Sequence, residues 1–449
     1  MPQRNAKPVT TLSGRDTAGV MMDMVLPLFA QGVIVRRPRV VALAERLDAD
    51  RRAIGRIGAL RDRYGPGPVL LRLPARDVAL VLSPSDVQRV LVDEAELFAP
   101  ANREKRAALS HFQPAGVLIS EGGARAARRA FNEAVLETQR PVHSLGDELV
   151  PRAREEAREI TEAARRAGAL TWGTFAAGWW RLVRRAVLGD RARDDERATE
   201  MLTRLRRDAN WAFLKPTRTR LRGRLHAELA ERLADAEPGS LAAQIATASS
   251  SRGTAAIDQV AHWLFAFDAA GMALFRTLAL LDAHPSYRQR VRDDLPLLRA
   301  SVLESLRLWP TTPAVLRDTT AATDWASGTL PKGSAVVIFA PFFHRDARRL
   351  PYADSFCPEI WLDGRAQADP ALIPFSDGPA VCPGRNLVLL LTSSMLAAVI
   401  EQDAFGASSA NPLEGRSALP ATLNPFALRF AVRSPAGSPV SPLPAGARD

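Results

Sequence analysis

The chain has 449 residues, of which 47% are hydrophobic and 24% charged, and it carries a formal net charge of +11. A chain of this length builds a large core without covalent staples, and its two cysteines, Cys357 and Cys382, exclude a disulfide scaffold and any multi-cysteine zinc or iron–sulfur centre. The six histidines include no HExxH pair, which argues against a histidine-rich metal site. Nearly all of the positive charge is arginine, interleaved with Asp and Glu along helical stretches. Only three tyrosines are present, so aromatic interleaving for single-stranded nucleic acid is sparse. The charge balance therefore reads as an acidic protein partner and no nucleic acid.

The first apolar stretch, Val20–Val35, is short and broken by Asp23, Pro27 and Gln31, so it predicts neither a signal peptide nor a membrane span. The expectation is a cytoplasmic protein with no membrane insertion. Residues 38–64 follow one helical pattern that ends near Tyr64-Gly65-Pro66-Gly67. Val69–Leu73 and Val78–Leu82 read as strands, and Ser85–Val92 as a short helix. Gly123–Leu136 is an amphipathic helix bearing Arg128 and Arg129. Residues 145–250 are helical in pattern almost throughout, with breaks expected at Gly168 and Gly173. Ile257–Ala283 is apolar nearly all round, which predicts a helix buried in the middle of the protein. Its one mid-helix acid is Asp268. Pro296–Trp309 reads as a further helix, followed by strands at Ala314–Arg317 and Ala335–Phe339 around a Pro331-Lys332-Gly333 turn. Residues 340–381 are irregular and aromatic, and Arg385–Gln402 is the last apolar helix. No internal repeat or long linker divides the chain. The expectation is one mainly α, helix-rich unit over residues 1–434 with a small β-region, and a disordered Pro/Gly-rich tail over 435–449.

Chemistry concentrates around Cys382. The run Phe375-Ser-Asp-Gly378-Pro-Ala-Val-Cys382-Pro-Gly384-Arg385 places a cysteine in a Gly/Pro-bounded loop just before an apolar helix. Unpaired N–H groups and the dipole at a helix N-terminus stabilise a thiolate. The two glycines leave room for a flat, large group beside the sulfur. A thiolate so placed suits the axial ligation of haem iron for oxygen activation. A lone cysteine is more often a small buried hydrophobe, and the surrounding motifs decide against that here.

The F-x-x-G-x-x-x-C-x-G run resembles the haem-binding signature of the cytochrome P-450 family. Glu304-Ser-Leu-Arg307 resembles that family's E-x-x-R helix. Between the two, Pro351-Tyr-Ala353-Asp354-Ser-Phe356-Cys-Pro358-Glu359 is similar to its meander. The resemblance runs from the strands near residue 69 to the C-terminus. It implies a cytochrome P-450 fold, haem b as cofactor with Cys382 as the iron ligand, and an EC 1.14-type monooxygenase. Phe375, Gly378 and Gly384 would shape the haem loop, with Glu304 and Arg307 supporting it through a buried ion pair. The family's third member of that network is an arginine, but the corresponding position here is Ile360; Arg345, Arg348 or Arg349 is the alternative. Arg128 and Arg317 match two of the arginines that hold haem propionates. The other two expected positions are Ala124 and Ala380, so the propionates either lean on other groups, such as His111 or Arg106, or are more solvated.

The long helix departs from the family pattern. Phe265-Ala266-Phe267-Asp268-Ala269 stands where an acid and an alcohol normally deliver protons to iron-bound oxygen. Asp268 supplies the acid, and Ala269 replaces the alcohol. Buried, Asp268 needs a hydrogen-bond partner or a raised pKa, and Arg276 is too far along the helix to be one. His262 reads as a satisfied core histidine and Cys357 as a filler of the meander. Substrate would rest on Phe265, Ala266 and Ala269, with further contacts from residues 98–118, Ala314 and Val315. The implied partners are a small-molecule substrate, such as a secondary metabolite, and a separate acidic ferredoxin or flavodoxin. The protein would act as a monomer. A peroxide-using enzyme, a non-oxygenating one (coupling, cyclisation or nitrogen transfer) and a haem-thiolate sensor are the alternatives that Ala269 keeps open.

Overall fold

The computed structural model describes residues 7–73, 76–248, 253–402, 404–406 and 411–432; the expected tail at 435–449 and residues 433–434 lie outside them. Helices dominate, as expected. The predicted 38–64 helix is two, α1 (Pro38–Arg46) and α2 (Ala49–Tyr64), because Asp48 turns left-handed at φ 45° between them. Next come α3 (Gly122–Val135), α4 (Gly146–Ala167) and α5 (Trp172–Leu188). Gly168 ends α4 at φ 74°, a conformation only glycine adopts cheaply. Gly173, expected to be a break, lies inside α5, whose start is set instead by the Thr171 cap. Then follow α6 (Arg197–Ala209), α7 (Thr219–Ala234), α8 (Ala256–Ala283), α9 (Leu295–Leu308) and α10 (Arg385–Glu401).

α8 runs through the middle of the molecule, packed on α5, α9 and α10. It is the one described helix long and apolar enough to cross a membrane, and 72% of its most apolar window is buried in the core. Its closest packing is at Gly271, where a Cβ would come within 2.7 Å of the Trp179 ring on α5. Trp179 Nε1 donates to the Phe267 carbonyl across the same contact, at 2.9 Å.

Five short strands form the main sheet: β1 (Val69–Leu71), β2 (Val78–Leu80), β3 (Phe98–Ala99), β4 (Ala314–Thr319) and β5 (Ala335–Phe339). Their spatial order is β1-β2-β5-β4-β3. All neighbours are antiparallel except β2 and β5. Two smaller sheets join Ala169–Thr171 to the C-terminal strands and pair Thr323–Trp325 with Gly328–Leu330. One apolar core lies among the helices, and a second lies under the sheet and the N-terminal helices.

Candidate functional site

Cys382 sits on the loop that feeds α10, and three bonds fix that loop. The Cys382 N–H donates to the Phe375 carbonyl at 3.0 Å, closing the turn. Arg129 on α3 donates to the Val381 carbonyl at 2.6 Å, and Thr138 donates to the Pro383 carbonyl at 2.8 Å. Gly378 has φ 63°, and a Cβ there would lie 1.8 Å from the Leu91 carbonyl oxygen, so glycine is required. Gly384 has an ordinary φ of −94°, and a Cβ there would meet only the Leu136 side chain at 3.6 Å. Its contribution is its amide, which donates toward the Cys382 sulfur. Burial pushes the Cys382 thiol up; the Gly384 amide, then the Arg129 and Arg385 guanidiniums, pull it down.

The Glu304–Arg307 pair holds the meander and is fully buried, with Arg307 Nη2 2.7 Å from Glu304. The third member is Trp361, not an arginine. Its Nε1 donates to Glu304 at 3.0 Å, beside the Cys357 N–H at 2.9 Å. Arg307 spends its remaining donors on the carbonyls of His344, Tyr352, Ala353 and Ser355. Arg345, Arg348 and Arg349 pair instead with Asp354, Asp62 and Asp346. Cys357 is half-buried, and its thiol lies beside Arg365.

Three cations gather at the edge of the Cys382 loop. Arg317, 4% exposed, donates to its own strand at the Leu316 carbonyl and to Ser376 Oγ on the loop. Lys105 donates to the carbonyls of Pro100 and Leu316, and Arg125 to that of Val117. Among the described residues, none of the three makes an ion pair. Burial, and then repulsion from neighbouring arginines (Arg129 in the case of Arg125), hold all three below their usual range, Arg317 at about 10. One buried and two half-buried cations held by neutral acceptors are matched to an anion. Arg128 is placed elsewhere: it bonds Ser120 and the Gly253 carbonyl, while Arg125, one turn earlier, faces Arg317. His111 is buried with Nδ1 unpartnered, and its charged neighbours are Asp208 and Arg222. Arg106 pairs with Glu121.

On α8, His262, Phe265, Ala266 and Ala269 form a half-buried stripe at helical spacing. Phe112 packs tilted against Phe265 with ring centroids 5.4 Å apart, and the Arg206 guanidinium lies over the same ring at 5.1 Å. Asp268 does have a partner. Arg206, from α6, bonds it directly and is itself 3% exposed. His262 is not satisfied: its Nδ1 is buried without a partner, and burial pushes its pKa down to about 4. Ala314 and Val315 point to opposite faces of β4, and Val315 shares its face with Arg317. Sequence reading missed Arg125, Lys105, Arg206 and Trp361. Arg125 was in view, three residues before Arg128 on the same helix face. The other three come from segments whose proximity no local pattern encodes.

Residues 279–405 match the cytochrome P450 family model. The chain is 32% identical over 163 residues to cyclooctat-9-en-7-ol 5-monooxygenase of Streptomyces melanosporofaciens, covering 32% of this chain and 36% of that protein. It is 31% identical over 122 residues to the mitochondrial 1,25-dihydroxyvitamin D(3) 24-hydroxylase of Mus musculus (27% and 24%). Over 110 residues it is 37% identical to ferruginol synthase of Salvia pomifera (24% and 24%). The matched stretch thus spans about a third or less of these relatives. Family match, helix-rich fold and loop agree in likening the chain to the cytochrome P450 family, the match to the family model being over residues 279–405. The cofactor of that family is haem b. The site fits such a group, with one thiol on a rigid loop, a half-buried helix stripe, and an unpaired cation cluster suited to propionates.

Proposed function

We propose that the protein is a haem-thiolate monooxygenase that hydroxylates an apolar small molecule, a secondary metabolite being the favoured class. The observation that carries this is the Cys382 loop, pinned by Arg129 of α3 and by Thr138 just past that helix, together with the buried Glu304–Arg307 pair that holds the meander. Haem held by a cysteine thiolate supplies oxygen activation. In this reading Cys382 provides the thiolate, and Phe375 packs beside it. Arg317, Arg125 and Lys105 hold the propionates. Phe265, Ala266 and Ala269 form the substrate wall, with Val315 and Phe112 at its sides. Asp268 holds a proton-transfer position on α8, and Arg206 fixes its carboxylate. Electrons come from a separate acidic ferredoxin or flavodoxin, docked on the basic side marked by Arg129 and Arg385. The enzyme works as a bacterial-type cytoplasmic monomer, one haem unit over residues 1–434.

The test is the visible spectrum of the reduced protein under carbon monoxide. A strongly red-shifted Soret band is expected, and Cys382→Ser should abolish the shift even where haem is retained. A shifted band that survives the substitution would remove Cys382 as the ligand.

Ala269 favours a second reading, in which peroxide is used directly or no oxygen atom is transferred. The residue after Asp268 is Ala269, which carries no hydroxyl, and the Asp268 carboxylate is tied to Arg206. Ala269→Thr separates the two readings. Under monooxygenation, the added hydroxyl raises product formed per reductant consumed. Under the second reading, that ratio and the product profile stay unchanged.

A further inference from the structure

The half-buried stripe of α8 continues past Ala269. Met272 and Arg276 fall on the same helix face as Phe265 and Ala269. There the face opens on a hollow bounded by residues 31–50, the loop after α9 at 309–313, and the loop at 421–426. Its volume is about 40 Å³, room for a small polar group rather than a whole organic molecule.

Two guanidiniums line it. Arg36 donates to the carbonyls of Gly32 and Thr311, each at 3.2 Å. Arg276 donates to those of Trp309 at 3.2 Å and Leu423 at 2.7 Å, and its Nε is buried with no partner. Neither makes an ion pair among the described residues. Burial pushes both down, Arg276 to about 9; Arg36 lowers Arg276 further, while Asp50 opposes both shifts, with Asp268 acting on Arg36 and Glu45 on Arg276. One acid, Asp50, lines the same hollow, where it accepts from Thr422 Oγ1 at 2.9 Å and burial raises its pKa. Glu45 lies outside the lining, accepts the Asn424 N–H, and is faced by Arg416 and Arg46 as well as Arg276. Asp268 is near enough to act on Arg36, but it is bonded to Arg206. The hollow thus holds two cations against at most one carboxylate, with the guanidiniums aimed by main-chain carbonyls.

We propose that this hollow is the anion subsite of the substrate pocket, where Arg36 and Arg276 receive the carboxylate of an otherwise apolar monocarboxylic acid. The inference rests on the reading of α8 as the substrate wall. Ala269 and Arg276 are separated by about 10 Å along the helix. The carbon presented at Ala269 therefore lies roughly that far from the carboxylate, the reach of a medium-length apolar chain.

The test is a calorimetric titration of the full-length haem-loaded protein with decanoate and, in parallel, with 1-decanol. Decanoate should bind at least tenfold tighter. Arg276→Gln and Arg36→Gln should each lower decanoate affinity about tenfold and leave 1-decanol unchanged. Equal affinity for acid and alcohol, no decanoate binding at millimolar concentration, or an acid preference surviving both substitutions overturns the proposal. Arg36→Gln carries the test alone where Arg276→Gln does not fold. The reduced carbon monoxide spectrum of each preparation is read separately. A thiolate spectrum without acid preference removes the subsite alone; a missing thiolate spectrum with acid preference intact removes the haem reading alone.

Discussion

His344 illustrates how one side chain ties the Cys382 region to pH. It is fully buried, with Nδ1 3.3 Å from the Arg307 carbonyl and Nε2 accepting the Ile373 N–H at 3.0 Å. Only the neutral ring with hydrogen on Nδ1 satisfies both contacts. Burial, and then the Arg307 charge, push its pKa from 6.5 down to about 3. A histidine with a depressed folded-state pKa stabilises the fold fully above its unfolded value. That stabilisation is lost as pH falls from about 6.5 toward 3. Thermal melts should therefore show Tm falling between pH 7 and pH 4, and His344→Gln should flatten that slope. A slope unchanged by the substitution would assign acid sensitivity to other groups. Asp268 makes a different point at this scale. Its carboxylate was expected to need a partner, and it has one in Arg206, on a helix 62 residues away in sequence. The need is a property of the residue, and the partner a property of the packing.

At the scale of elements, turns decide where the functional groups stand. Gly378 is the sharpest case, being left-handed and pressed against the Leu91 backbone. A methyl group there must displace main chain, and the left-handed conformation adds strain of about 1–3 kcal/mol. Gly378→Ala should lower Tm by several degrees and weaken haem retention on gel filtration; unaltered values for both would mean the loop can shift without disturbing the site. The apolar helices were legible because their pattern is strong. α8 and α10 lie within a residue of their expected ends. The 38–64 and 145–250 stretches were less so, since Ala, Leu and Arg fit a helix interior and a helix end equally well. Asp48 breaks the first by adopting a left-handed conformation that aspartate tolerates but does not announce.

Across the whole molecule, the helical core and the meander meet at the Glu304–Arg307 pair. Glu304 accepts from Arg307, Trp361 and Cys357, so the ion pair joins α9 to the meander. Breaking a buried pair by neutralising one partner leaves an uncompensated charge, a cost of about 3–5 kcal/mol. Glu304→Gln should lower the urea midpoint accordingly, whereas an unshifted midpoint would mean that the four carbonyls around Arg307 suffice to hold it. The sequence by itself determined the family signature, the ligand candidate Cys382, the buried α8 and the helix-rich class, because each rests on local spacing or on hydrophobic periodicity. Only the tertiary structure decided that Trp361 completes the ion-pair network, that Arg125 rather than Arg128 faces Arg317, and that Arg206 holds Asp268. Those choices depend on which distant segments share a desolvated volume. There an unpaired charge is costly enough to select its partner, and no local pattern records that volume.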